Sequence, residues 1–227
     1  MNRVDVAWAI GRPVMGIPAA LMTRLRVYGR DRVPRSGGLV VAFNHFHWID
    51  VPAFGFVSPR TLYFLAKAEA HAVPLGGAYM RLFGSFSVRR GESDREAVRR
   101  MREVVRAGEA LGVFAEGTRQ KSGVPGRAQP GAAMVALQED VPVICAAIHG
   151  SQTWRPGNFA PVSVAWGEPV RFEGLPKGAK GYREASAQIE EELHRLWAWL
   201  RDVHAAGRPR QAEPPRRSGS VAAVTLP

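Results

Sequence analysis

Short apolar runs recur along the chain, and polar segments separate them. Runs rich in β-branched or aromatic residues predict strands at residues 39–43, 61–66, 86–88, 111–115, 141–148 and 162–166. Several of these runs are apolar without alternation, which is typical of strands that are covered on both faces.

Between these runs the apolar residues recur with helical spacing. A capping-box pattern at residues 93–96 opens a segment with valine and methionine on one face and arginine on the other. Residues 131–140 and 182–204 carry a short and a long helical pattern. Strands that alternate with helices predict a single α/β domain, with a mostly parallel or mixed sheet flanked by helices.

The N-terminal segment mixes apolar residues with arginine. Residues 1–28 predict an interrupted amphipathic helix, and the longest uncharged run, residues 13–23, is far shorter than the ~20 residues that span a bilayer. We therefore expect no transmembrane span, and Asp5 together with the pair Arg12-Pro13 argues against a secretory signal. Such a segment can lie in a membrane interface or pack on the domain as a helix, and the two can hold together.

The net charge is +11, and the excess lies in residues 1–35, in residues 89–106 and after residue 204. Basic segments suit anionic surfaces, whether phospholipid or nucleic acid, although a basic tail can also serve solubility alone. From residue 205 the composition turns to proline, arginine, serine and glycine, which predicts disorder. We expect a membrane-associating segment at 1–28, a folded domain at 29–204 and a disordered basic tail at 205–227.

Two observations bear on metals and redox chemistry. The single cysteine, Cys145, lies in an apolar run and is expected to be a buried structural thiol. No zinc-type spacing is present, and His45 and His47 alone are a poor ligand set, so we expect no metal.

The segment "NHFHWID" follows the first predicted strand and ends in Asp50. On a regular helix His45 and Asp50 would lie about 140° apart, but a turn before a helix lets the side chains meet. The carboxylate would then hold one imidazole nitrogen and leave the other as a base. The alternative is a capping aspartate beside a structural histidine, and His47, between two aromatic residues, favours a packing role.

Two further strand ends carry polar residues. The segment "LGVFAEGTRQKSG" places Glu116, Gly117, Thr118 and Arg119 after a strand, where open α/β sheets bind ligands and arginine suits phosphate. The segment "FGSFSVRRGE" places two arginines after another strand, as an anion site or as the solvated start of a basic helix.

Taken in order, these segments resemble the glycerolipid acyltransferases, specifically the 1-acylglycerol-3-phosphate acyltransferases. The matching blocks are "NHFHWID", "FLAKAEA", "GSFSVRR", "FAEGTR" and "VPVICAAI", within roughly residues 30–175. The chain departs from the family pattern at Ala115, at Arg89 and at Pro130.

The resemblance implies that residues 29–204 form an acyltransferase domain. It implies His45 and Asp50 as catalytic residues, and Lys67, Arg90, Glu116, Gly117, Thr118 and Arg119 as substrate-binding residues, with Arg89 an alternative to Arg90. Lys67 or backbone amides would stabilise the oxyanion. No cofactor is implied beyond acyl-CoA or acyl carrier protein as the donor.

The expected reaction acylates 1-acyl-sn-glycerol-3-phosphate to phosphatidate, on the cytoplasmic face of the cell membrane, where the protein would be peripheral on an anionic lipid surface. Another lysolipid or a glycolipid precursor is an alternative acceptor. A non-catalytic membrane- or nucleic-acid-binding protein would explain the charge but not the His–Asp spacing, and we expect no nucleic-acid partner.

Overall fold

The computed structural model describes residues 3–67, 71–72, 74–88 and 95–217. Its strands are β1 (Arg26–Tyr28), β2 (Leu39–Phe43), β3 (Leu62–Lys67), β4 (Phe86–Val88), β5 (Ala110–Phe114), β6 (Val143–His149) and β7 (Ser163–Val170). Its helices are α1 (Arg3–Met22), α2 (Asp50–Val57), α3 (Pro74–Leu82), α4 (Arg95–Arg106), α5 (Gly131–Glu139) and α6 (Ala179–Ala205), with a 3₁₀ turn at Arg30–Arg32.

The strands form one seven-stranded mixed sheet in the order β1-β7-β6-β2-β5-β3-β4. Strands β2 to β6 run parallel, β7 pairs antiparallel with β6, and β1 pairs parallel with β7. The carboxyl ends of β2, β3 and β5 therefore share one edge of the sheet. The predicted α/β domain with a mostly parallel or mixed sheet is confirmed.

Helices cover both faces of the sheet. Helices α4, α5 and α6 pack on one face, while α1 and α2 cover the other. All five residues of β2 are buried, which is the physical reason for its unbroken apolar run. The core thus consists of two apolar layers with the central strands between them.

Helix α1 continues through Pro13 and Pro18, so the predicted interruption does not divide it. By length and composition this helix could cross a membrane. A core helix or a signal sequence meets the same criterion. Our expectation that no segment is long and apolar enough to span a membrane is therefore corrected. One side of α1 packs on α2 and α3, and the other exposes apolar side chains, including Ile10, Val14 and Leu21. Both readings of the segment are therefore compatible with the fold. The sheet begins inside the predicted 1–28 segment, because β1 starts at Arg26.

The predicted disorder from residue 205 must be corrected for residues 205–217. Arg208 is buried and donates from Nε to Ser163 Oγ at 3.0 Å and from Nη2 to the carbonyl oxygens of Arg24 and Val162. Arg32 Nη2 also donates to the carbonyl oxygen of Pro214 at 2.7 Å. These hydrogen bonds fasten a proline-rich segment to the domain although its composition resembles a linker. Residues 218–227 lie outside the described residues.

Much of the arginine charge on α4 is paired. Arg99 and Arg100 bind Glu96, and Arg102 and Arg106 bind Glu139 at the end of α5. The first two residues of the predicted capping box lie outside the described residues. Helix α4 is therefore a weaker anion-binding surface than its sequence indicates.

Candidate active site

The carboxyl ends of β2, β5 and β6 are held together by hydrogen bonds just beyond the strands. Ala115 N donates to the carbonyl oxygen of Phe43 at 2.8 Å. On the other side, the Asn44 side chain donates from Nδ2 to Ile148 O at 3.1 Å and accepts Ile148 N–H at Oδ1 at 2.8 Å. The buried Asn44 side-chain amide thus makes the two hydrogen bonds with β6 that a backbone amide would make, and it extends the pairing of β2 and β6 by one residue. The position at which His45 leaves the sheet is therefore fixed.

The predicted contact between His45 and Asp50 is present. His45 Nδ1 lies 2.8 Å from Asp50 Oδ2, and the same oxygen accepts the backbone N–H groups of Phe46 at 2.7 Å and His47 at 2.8 Å. A carboxylate has no proton to donate, so the same oxygen also accepts a hydrogen bond from Nδ1–H. Nε2 is then the unprotonated nitrogen of the neutral ring. Asp50 is fully buried, whereas the His45 side chain is 12% exposed, so part of the imidazole reaches the surface.

His47 has different surroundings. Its ring packs against Trp48 and Trp154, with centroid distances of 5.6 and 5.5 Å. Burial lowers the pKa of His47, Asp50 raises it, and Arg119 and His45 lower it further. The geometry supports the packing role predicted for His47.

Glu116 is buried, and its carboxylate faces the backbone. Its Oε2 accepts His45 N–H at 2.8 Å, and its Oε1 accepts Gly126 N–H at 3.0 Å. Burial raises the pKa of Glu116 to about 7, these two hydrogen bonds lower it, and the charge of Asp50 raises it. The carboxylate therefore joins the His45 turn to the loop after β5, a contact that the sequence does not reveal.

The residues after Glu116 turn back over His45. Gly117 has a φ of 69°, a left-handed conformation that glycine adopts without strain, and its N–H bonds to Phe114 O at 3.0 Å. Gln120 N then donates to His45 O at 2.7 Å. Thr118 and Arg119 are exposed on this turn beside His45.

Two predicted substrate-binding residues are described only in part or not at all. Lys67 ends β3, which pairs with β5, so its backbone lies at the same sheet edge, but its side chain is not described. Arg90 and its alternative Arg89 lie outside the described residues. Within the described ranges, no cluster of three or more His, Cys, Asp or Glu side chains could hold a metal ion.

An apolar cavity of about 290 Å³ adjoins the histidine. Phe114 lines this cavity, and its ring stacks on the His45 ring at a centroid distance of 4.0 Å with 23° between the planes. The other walls come from α1, α2, β3, α3 and the residues beside these helices, and they include Trp8 in α1, Phe56 in α2, Trp48 before α2 and Phe83 after α3. Sequence reasoning missed this cavity, because its wall residues look like ordinary core positions until the helices are placed.

Glycines let α1 approach the cavity walls closely. A Cβ on Gly11 would lie 2.1 Å from Phe83 Cζ, and one on Gly16 would lie 2.0 Å from Phe56 Cδ2. Both aromatic rings therefore lie in notches of α1 that a larger residue would fill.

Residues 24–149, more than half of the chain, match the family described as "Acyltransferase". The chain belongs to the acyltransferase family. Among curated relatives, the 1-acyl-sn-glycerol-3-phosphate acyltransferase of Bacillus subtilis is 28% identical over 178 residues, which cover 75% of this chain and 84% of that protein. The lyso-ornithine lipid O-acyltransferase of Pseudomonas aeruginosa is 41% identical over 101 residues, which cover 44% of this chain and 37% of that protein.

The fold of this acyltransferase matches a solved structure. The crystal structure of the 1-acyl-sn-glycerophosphate (LPA) acyltransferase from Thermotoga maritima aligns with a TM-score of 0.65 at 23% identity, over 82% of this chain and 78% of that one. The predicted family and the prediction of an O-acyltransferase are confirmed, and the protein is a lipid-biosynthesis enzyme of the lysophosphatidate and lysolipid acyltransferase type.

Proposed function

We propose that this enzyme transfers a fatty acyl group from acyl-CoA or acyl carrier protein to the free hydroxyl of 1-acyl-sn-glycerol-3-phosphate and forms phosphatidate. The observation that carries the proposal is the hydrogen bond between His45 Nδ1 and Asp50, beside a cavity that fits an alkyl chain. The relative from Bacillus subtilis, which the chain matches over most of its length, bears the name of this activity.

The chemistry begins at the acceptor hydroxyl. An alcohol is a weak nucleophile at neutral pH, and His45 Nε2 takes its proton as the oxygen attacks the thioester carbonyl. The imidazolium that forms is stabilised by the buried Asp50 carboxylate. Collapse of the tetrahedral intermediate breaks the C–S bond, and the imidazolium returns the proton to the departing thiolate. The products are the ester and the free thiol, and no further cofactor is needed.

The developing oxyanion needs hydrogen-bond donors. Lys67 and the backbone N–H groups of the loop after β5 are the two candidates at this sheet edge. We assign the acceptor phosphate to Arg119, with Arg90 as its partner, because an exposed guanidinium beside His45 can bind a phosphate with two hydrogen bonds. Gly117 and Thr118 would support this contact from the same turn.

Glu116 is assigned a different role from the one that the resemblance implied. Both of its carboxylate oxygens bind backbone N–H groups, so it positions His45 and the acceptor loop rather than binding a substrate. This role is consistent with its burial.

The acyl chain of the donor would occupy the apolar cavity. Phe114 contacts both the cavity and His45, so a chain lying there would bring its thioester carbonyl to the base. We further propose that the enzyme is peripheral on the anionic cytoplasmic face of the cell membrane, since α1 exposes apolar side chains and residues 1–35 are basic.

An acceptor panel tests the proposal. Purified enzyme is given acyl-CoA with lysophosphatidate, with lyso-ornithine lipid or with a lysophospholipid, and products are identified by mass spectrometry. Phosphatidate as the main product is expected. A clear preference for lyso-ornithine lipid would instead favour the second candidate, which the 41% identity to the Pseudomonas aeruginosa enzyme supports. Activity with none of these acceptors would refute both.

A further inference from the structure

Arg12 differs from Arg60 and Arg208, two other arginines with little exposed surface, in the hydrogen bonds of its guanidinium. Arg60 donates to the carbonyl oxygens of Pro34, Gly37 and Gly108, and Arg208 is held in a similar way. Arg12 Nε is fully buried, yet no residue in the described part of the chain accepts its proton. A buried donor without a partner is costly. Arg12 as a whole is only partly buried, so the Nη groups of the same guanidinium are the donors that a ligand could reach.

Arg12 lies between two cavities of opposite character. It lines the apolar cavity beside Phe114, and it also lines a polar cavity of about 440 Å³ formed with Arg35, Arg60 and Thr61. Trp8 lines both cavities, and the Arg12 guanidinium lies 5.6 Å from the centroid of its ring. The tryptophan thus supports one face of the guanidinium and leaves its N–H edge for a ligand.

The polar cavity opens at the amino ends of the strands, opposite to the edge that carries His45. Gly37 lies two residues before β2, Glu109 lies immediately before β5, and both line this cavity. Asp5 and Glu109 bring two negative charges to this cavity, and Arg12, Arg35 and Arg60 bring three positive charges, of which Arg60 is already bound to backbone carbonyl oxygens. An anion would therefore bind on the side of Arg12 and Arg35.

We propose that Arg12 binds the headgroup of a single-chain anionic amphiphile, a long-chain carboxylate or an alkyl phosphate, whose chain lies in the apolar cavity with its tail towards Phe114. A guanidinium binds either oxyanion with two hydrogen bonds, and the aromatic walls remove the alkyl chain from water. Burial, and then the charge of Arg30, lowers the pKa of Arg12, and a bound anion would offset both effects.

This ligand would lie in the reverse direction to the acyl donor. Its chain would occupy the space that the donor's acyl chain needs, so it would inhibit acyl transfer in competition with the donor. This competition rests on the proposed function, whereas the Arg12 site itself does not.

Binding of a headgroup series tests the site directly. Dodecanoate and dodecyl phosphate, each below its critical micelle concentration, and dodecanol, below its solubility limit, are titrated into the full-length protein by isothermal titration calorimetry. Charge-assisted hydrogen bonds predict that an anion binds roughly ten- to a hundredfold more tightly than the alcohol. The tighter of the two anions identifies the headgroup class.

Two variants make the test specific. In Arg12→Gln the preference for an anion over dodecanol should disappear, whereas Arg3→Gln removes an equal charge from an exposed position of α1 and should keep it. Equal binding of the three probes to the wild type, or an unchanged preference in Arg12→Gln, overturns the proposal. If Arg12→Gln does not fold, the wild-type series and Arg12→Lys, which should retain part of the preference, decide it.

Competition is measured separately. We expect the anion that binds more tightly to inhibit acyl transfer, and we expect a higher acyl-CoA concentration to overcome this inhibition. If the anion binds at Arg12 but does not compete, the site stands and the assignment of the apolar cavity to the donor's acyl chain is refuted.

Discussion

Replacing Glu116 by glutamine should lower activity without lowering stability at alkaline pH. The glutamine oxygen can replace one carboxylate oxygen, but its NH₂ group cannot accept the second backbone N–H. Either His45 or Gly126 therefore loses its acceptor. Losing a charge-assisted hydrogen bond costs about 1.5–3 kcal/mol, so acyl transfer at pH 8 should fall roughly ten- to a hundredfold if the His45 turn moves.

The effect on stability has the opposite sign. The pKa of Glu116 rises from 4.5 to about 7 in the folded protein, chiefly because of burial. Below pH 4.5 the group is protonated in both states, and above that pH the unfolded chain loses the proton first. The wild type therefore loses stability as the pH rises towards 7, by about 3 kcal/mol at ~1.4 kcal/mol for each pH unit. Glutamine does not titrate, so the variant lacks this loss.

The measurement is the free energy of unfolding by urea for wild type and Glu116→Gln, from pH 5 to pH 9, together with activity at pH 8. The difference between the two proteins should move by about 2.5 kcal/mol in favour of the variant across this range, because part of the loss already occurs below pH 5. Glu191→Gln, at an exposed position of α6, is the control and should show no such change. A difference that stays constant with pH would refute the raised pKa, and full activity in Glu116→Gln would refute the positioning role.

Three further predictions concern the base, the acceptor site and the membrane. His45→Ala should lose ~10²–10⁴-fold in kcat with folding intact, whereas His47→Ala should keep much of its activity, and equal losses in steady-state assays would contradict their different roles. Arg119→Ala should raise KM for lysophosphatidate roughly ten- to a hundredfold with partial recovery in Arg119→Lys, and an effect on the KM of acyl-CoA instead would place Arg119 in the donor site. Removing residues 1–27 should reduce sedimentation with anionic vesicles, and undiminished binding by a truncated protein with native circular dichroism would exclude this segment as the anchor.

The sequence predicts the strands that carry the site with good accuracy. Apolar runs mark strands such as β2, which is buried, and β4, both with the observed bounds. The polar residues after β2 and β5 mark strand ends, because the buried part of the sheet favours apolar side chains. The sequence also predicts the contact between His45 and Asp50, because a turn between the end of a strand and the start of a helix lets side chains five residues apart meet.

Short or locally ambiguous elements were not predicted. Strand β1 has three residues and lies at the sheet edge, where pairing with β7 rather than its own pattern makes it a strand. Helix α3 begins at a proline and contains two glycines, so its packing outweighs its weak intrinsic propensity. The segment at 205–217 is ordered by hydrogen bonds from arginines whose acceptors lie far away in the sequence.

The sequence by itself determined the family, the α/β class and the residues that flank the base, because these depend on local patterns of apolar and polar positions. Only the tertiary structure decided what Glu116, Phe114 and Arg12 do. Glu116 binds an amide 71 positions away, Phe114 stacks on a histidine that follows another strand, and Arg12 lies between two cavities that exist only when α1 packs on the sheet. Such roles depend on distances between segments that are remote in the chain, and a linear pattern does not contain those distances.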